Sequence, residues 1–161
     1  SRCQSFHIEK PDTTEFTARV ATVLVTEGVE FDLDTLDSYV KATYPDLRKC
    51  LNTCQMNANG GKLATPSSDS NSTGDWKLSA VELFKEGRIN EARKLMCSQV
   101  RPEEMEDVFR WCYDNLELFT TDIEKQDQAI IIIRNGLVNV PLVADQEINL
   151  SATLIELTGL Q

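Results

Sequence analysis

At 161 residues the chain has room for one ordinary domain or two small ones. Its 41% hydrophobic and 26% charged residues sustain a packed core and exclude a disordered chain, and a formal net charge of -10 excludes a general attraction to phosphate backbone. Any contact with DNA must be local or made elsewhere. Five cysteines (Cys3, Cys50, Cys54, Cys97, Cys112) come with no signal peptide, transit peptide or spanning apolar run, so reduced thiols, a cytoplasmic location and no membrane partner are expected.

Along the chain, Phe6 and Ile8 alternate with polar neighbours and predict a brief strand closed by Pro11. Asp12 with Glu15 three positions later reads as a capping pair, and Phe16, Val20, Val23 and Leu24 recur at helical spacing up to Gly28, which stops the first helix. A second helix begins near Asp32 and carries Leu36, Tyr39 and Val40 inward until Pro45, which lacks an amide donor. Asp46 caps a third, in which Leu47, Cys50, Leu51 and Cys54 form a narrow stripe. Residues 57–76 are dominated by Gly, Ser, Asn and other polar residues and predict a flexible linker.

Beyond it, Ala80, Val81 and Phe84 mark a helix ending near Gly87, and Ile89, Ala92, Leu95 and Met96 mark the next. Pro102 suits a first helical position, with Glu103 and Glu104 behind it and then Met105, Val108, Phe109, Cys112, Tyr113 and Leu116. The run Ala129-Ile130-Ile131-Ile132-Ile133 has strand-like β-branching, but Asp122 and the length to Pro141 favour a buried helix. A last helix over about Glu147 to Thr158 shows Leu150, Leu154 and Leu157 on one side and Ile148 and Ile155 on another. The expected fold is all-α, with three helices before the linker and about five after it.

Few residues suggest chemistry. Gly60-Gly61-Lys62 has Met56 where a phosphate loop needs its first Gly, and Leu63 replaces the Mg²⁺-binding Ser or Thr. Cys50 and Cys54 lack a second pair with metal-ligand spacing, and His7 is the single histidine, without an evident orienting partner. No catalytic set is legible.

Arg2, in Ser1-Arg2-Cys3, and Arg48, in Tyr44-Pro45-Asp46-Leu47-Arg48-Lys49-Cys50, stand in the order and separation of paired motifs in AAA+ sliding-clamp loader small subunits. In replication factor C small subunits and their phage counterparts, Ser-Arg-Cys follows the ATPase sheet and precedes a three-helix lid. The third lid helix opens with Asp-x-Arg-Arg/Lys. This sequence resembles that arrangement throughout. Tyr44-Pro45 stands where many cellular members have Gly, as an aromatic-Pro pair does in T-even phage relatives, so the resemblance is closest to viral clamp loaders.

The resemblance implies that residues 1–8 are the tail of an ATPase domain lying upstream, 9–56 the lid, 57–76 the linker and 77–161 a helical collar that assembles subunits. The opening without Met fits an excised piece of a longer protein. Arg2 is then a finger acting in trans on ATP held by the adjacent subunit, and Arg48 a sensor of the γ-phosphate in its own subunit. The alternatives are a surface arginine for Arg2 and an ion pair with Asp46 or Glu27 for Arg48.

By the same resemblance the piece itself needs no cofactor and is not an enzyme, whereas the intact parent is a DNA-dependent ATPase using ATP and Mg²⁺. Its partners are other clamp-loader subunits, the sliding clamp and primer-template DNA, the last through the missing ATPase domains. Ile148, Leu150, Leu154 and Ile155 are the expected oligomer interface, since a monomer rarely exposes a large contiguous apolar patch. The competing reading is a free-standing all-α adaptor that binds a partner protein through its last helix.

Overall fold

The computed structural model describes residues 6, 9–66 and 75–160, where eight α-helices and one small hairpin make an all-α fold. The chain divides into two units between Thr65 and Pro66. Phe6 is exposed, and Phe6, Glu9 and Lys10 lie in no strand; the rest of the brief strand expected before Pro11, and Arg2, lie outside the described residues.

In the first unit, α1 (Thr13–Thr26) starts where the Asp12 carboxylate accepts the amides of Thr14 and Glu15 at 2.8 and 3.1 Å. It buries Phe16, Val20 and Leu24 at i, i+4 and i+8, each contributing roughly 1.5–3 kcal/mol by leaving water. At its end Gly28 takes a positive φ of 68°, and the Val29 amide donates back to the Leu24 carbonyl at 2.8 Å, closing the helix with otherwise orphaned groups paired.

Asp32 caps α2 (Leu33–Thr43), whose Leu36, Tyr39 and Val40 are buried. Asp46 caps α3 (Leu47–Asn57) through the Lys49 amide at 2.9 Å. Of the expected α3 stripe only Cys50 and Cys54 are fully buried, while Leu47 and Leu51 are half-buried.

Between α2 and α3 the Tyr44-Pro45 peptide is cis. The Tyr44 ring meets Phe16 edge-on at 5.3 Å, and its hydroxyl donates to the Pro11 carbonyl at 2.6 Å. The aromatic residue of that pair therefore ties the segment entering α1 to the α2–α3 turn.

Residues 57–65 are not linker. Asn57 closes α3, and β1 (Ala58–Asn59) pairs antiparallel with β2 (Lys62–Leu63). Gly60 and Gly61 both take positive φ, 62° and 79°, as the tightest hairpin turn requires. Leu63 is 1% exposed, the Glu30 amide donates to the Gly61 carbonyl at 2.8 Å, and the Tyr39 hydroxyl donates to the Ala64 carbonyl at 2.9 Å. A buried leucine and these bonds make the hairpin part of the first unit.

The second unit begins with α4 (Trp76–Lys85), capped by Asp75, and α5 (Ile89–Gln99). A 3-10 turn over Pro102–Glu104 leads into α6 (Met105–Asp114), which buries Met105, Val108, Phe109, Trp111 and Cys112. Edge-on ring pairs Trp76–Trp111 (5.7 Å) and Phe84–Phe119 (5.2 Å) join α4 to α6 and to the segment after it. Asp122 caps α7 (Ile123–Asn139), and Asp145 caps α8 (Gln146–Thr158) through the amides of Glu147 and Ile148.

The isoleucine run is helical, as expected, but it is not buried throughout. Ile133 is buried, Ile130 and Ile132 are half-buried and Ile131 is 54% exposed. Successive helical residues turn by about 100°, so four in a row cannot all face one core.

Close packing at α7 depends on Gly136. A methyl group there would lie 2.5 Å from Thr153 Oγ1 on α8 and 2.6 Å from a ring carbon of Phe109 on α6. The Gly136 carbonyl also accepts from the buried Asn149 side-chain amide at 3.1 Å.

Candidate functional site

Among the residues read as functional from sequence, Arg48 is placed most informatively. It is the second residue of α3 and is exposed. Its guanidinium makes no ion pair with Asp46 or Glu27, nor with any other described residue. Asp46 already occupies this helix end by accepting the Lys49 amide, and its carboxylate opposes an incoming anion. An anion held here would therefore be bound by the Arg48 side chain more than by the helix terminus, a qualification of the sequence reading.

Behind this turn, Cys50 and Cys54 are 0% and 1% exposed and hydrogen-bonded to one another. That bond, with burial, pushes the Cys54 thiol far above its ordinary range. The pair packs as small apolar side chains. Among the described residues no three His, Cys, Asp or Glu side chains gather as a metal site.

The four residues expected at an oligomer interface separate into two faces of α8. Leu150 and Leu154 are 0% exposed and belong, with Leu157, to the core of the second unit. Their assignment to an interface is corrected: positions i, i+4 and i+7 face inward together, and their burial within one chain leaves no surface for a partner. Ile148 and Ile155 share the outward face, 68% and 54% exposed.

Polar residues of α8 hold it in place. Arg93 on α5 donates to Ser151 Oγ at 2.8 Å, and Ser151 also hydrogen-bonds Cys97, whose thiol burial pushes upward. Asn149 is buried and bonded to Gly136, so the Asn149-Leu150-Ser151 triplet serves helix packing.

Sequence reasoning missed two surface features of this unit. An apolar cleft of about 480 Å³ runs between α6 and α7, walled by Phe109, Tyr113, Ile130, Ile133 and Leu137 and edged by Arg110 and Arg134. A more polar groove of about 420 Å³ lies between α7 and α8, lined by Asn135, Asn139, Ala152 and Glu156, with Arg134 on its edge too. Neither is legible in the sequence, because only the pairing of α7 with α6 and with α8 brings these residues together.

No helix among the described residues is long and apolar enough to cross a membrane. In comparisons with known proteins, the sequence matches no family model and no curated protein.

Proposed function

We propose that the chain is the lid and collar part of a DNA polymerase sliding-clamp loader subunit, coupling ATP binding to ring assembly and clamp loading on primer-template DNA. The observation that carries this reading is Arg48, an exposed guanidinium without an ion-pair partner among the described residues, in the first turn of the third helix of a three-helix unit. A lone cation so placed suits a γ-phosphate: the nucleotide draws the first unit towards it, and the state of the site becomes the position of the lid. Arg2 supplies the transition-state charge across the interface, contributing roughly 10³-fold or more in rate. The five-helix unit is the collar, with the Ile148 and Ile155 face of α8 turned to neighbouring subunits.

In this reading ATP and Mg²⁺ belong to the intact parent. The chain itself offers regulatory and assembly surfaces rather than a catalytic centre. The sliding clamp and other loader subunits are its protein partners.

A second reading, a free-standing all-α adaptor, draws on the same outward isoleucines of α8. The coding sequence upstream of Ser1 separates the two. A G-x-x-x-x-G-K-[ST] motif followed by an acidic Mg²⁺-binding motif supports the loader. An initiator codon next to Ser1 leaves the adaptor.

A further inference from the structure

We propose that Asn59, at the turn of the β1–β2 hairpin, is a site of spontaneous deamidation whose isoaspartate product loosens the hairpin, while the fold keeps the chain's other Asn-Gly pair, Asn135-Gly136, intact.

The sequence holds two Asn-Gly dipeptides. In such a pair the glycine's backbone nitrogen attacks the asparagine Cγ, since glycine has no Cβ to obstruct the approach. A C–N bond forms, the Cγ–NH2 bond breaks, and ammonia leaves with the proton of the backbone amide, giving a cyclic succinimide. Water then opens the ring. Attack at Cγ yields aspartate; attack at the main-chain carbonyl yields isoaspartate, whose backbone runs through the side-chain methylene. Nothing is oxidised or reduced, and water is the only co-reactant.

Both asparagine side chains are exposed, and neither is hydrogen-bonded among the described residues, so the carboxamides do not distinguish the two sites. The glycine amides do. Gly60 lies outside β1 and β2, and its amide makes no hydrogen bond among the described residues. Its φ is 62°, and a methyl group added there would meet nothing within 4 Å. Asn59 is held by a short ladder, Ala58 facing Leu63 and Asn59 facing Lys62. Turning its backbone into position for attack opens only the terminal pair, a cheap fluctuation at an exposed turn.

Gly136 lies inside α7, where its amide is committed to the helical ladder. It is buried against Thr153 and Phe109, and its carbonyl accepts from the Asn149 side chain. Ring closure at Asn135 therefore requires α7 to open within the core of the second unit.

The damage falls on the hairpin's anchorage. Isoaspartate adds one atom to the main chain of a turn closed by two glycines, and so breaks the register of residue 59 with Lys62. The same hairpin supplies the Gly61 carbonyl that accepts the Glu30 amide and the Leu63 amide that donates to the Glu30 carbonyl, both at 2.8 Å. Aspartate leaves the main chain unchanged.

The experiment is incubation of the full 161-residue chain in mildly alkaline buffer, followed by peptide mapping with mass spectrometry that distinguishes isoaspartate. In the folded chain Asn59 should convert about tenfold or more faster than Asn135, and in denaturing urea the two rates should agree within about twofold. Equal rates in the folded chain, both fast or both slow, overturn the inference, as does a difference that persists in urea. The isoaspartate fraction, isolated after incubation, should be cut within residues 58–65 about tenfold or more faster than fresh chain in limited proteolysis. Asn59→Asp, with the same added charge on a normal backbone, should stay as resistant as wild type. An isoaspartate form as resistant as fresh chain, or an Asn59→Asp variant cut as readily as the isoaspartate form, overturns the proposed loosening.

Discussion

Replacing Gly136 by alanine is expected to destabilise the second unit, although the same change in an open helix is stabilising. Helix propensity favours alanine by about 1 kcal/mol. Against this, the added methyl lies 2.5 Å from Thr153 Oγ1 and 2.6 and 2.9 Å from two ring carbons of Phe109. Neither neighbour yields easily: the Thr153 hydroxyl is bonded to the Asn149 carbonyl at 2.9 Å, and Phe109 is 1% exposed. Overpacking of this kind costs about 1–3 kcal/mol. Pushing α7 from α8 also stretches the buried bond from Asn149 to the Gly136 carbonyl, whose loss leaves a donor unpaired at about 1–3 kcal/mol. The net expectation is a loss of about 1–5 kcal/mol. Urea unfolding followed by tryptophan fluorescence isolates the effect, because both tryptophans, Trp76 and Trp111, lie in the second unit. Adding Phe109→Leu should recover part of the loss. An unchanged or higher midpoint for Gly136→Ala would refute the three-helix packing argued for α6, α7 and α8.

Adjacent residues of α8 should behave oppositely: Leu154→Asp unfolds the second unit by burying an unpaired charge, while Ile155→Asp leaves the tryptophan-monitored midpoint within about 0.5 kcal/mol. In the first unit, Leu63→Ala should cost about 2–4 kcal/mol by circular dichroism, since that leucine is 1% exposed, and a hairpin that behaved as linker would show almost no change. Limited proteolysis followed by mass spectrometry should find residues 58–65 resistant while the native fold persists, and early cuts there would contradict the hairpin. Burial pushes the Cys112 thiol up to about 12. The unfolded chain therefore releases that proton from about pH 8.5 upward while the folded chain keeps it. Stability is full below the unfolded value and falls by about 1.4 kcal/mol per pH unit as pH rises towards the folded one. Cys112→Ala should show a shallower alkaline slope of the urea midpoint.

Local chemistry made most of the helices legible. Asp12, Asp32, Asp46 and Asp122 each cap the helix expected to follow, and the glycine stop at Gly28 is an observed helix end. The hairpin was missed because residues 57–65 were weighed by composition. Asn59-Gly60-Gly61 carries its own turn signal, and Leu63 was the one large apolar residue available to anchor it. The two faces of α8 were readable as spacing, but spacing does not say which face meets the core. The tertiary placement of α5, α6 and α7 decides that Leu150 and Leu154 are inside and Ile148 and Ile155 outside. The cleft between α6 and α7 was illegible for the same reason, being a product of two helices that Gly136 allows to approach a third. Of the candidate site, the position of Arg48 on its helix was legible, whereas the absence of the alternative pairing with Asp46 or Glu27 depends on side-chain geometry. Arg2 lies outside the described residues, so its role rests on sequence resemblance.

The lid and collar reading is tested most directly by ATP hydrolysis in the assembled complex of the complete subunit, stimulated by clamp and primer-template DNA, with Arg48 intact or replaced by alanine. The account predicts that Arg48→Ala lowers the stimulated rate about tenfold or more with circular dichroism unchanged, and that Arg48→Lys does not restore it, since a point charge does not reproduce the guanidinium fork. A stimulated rate equal to wild type in a folded Arg48→Ala complex would contradict it.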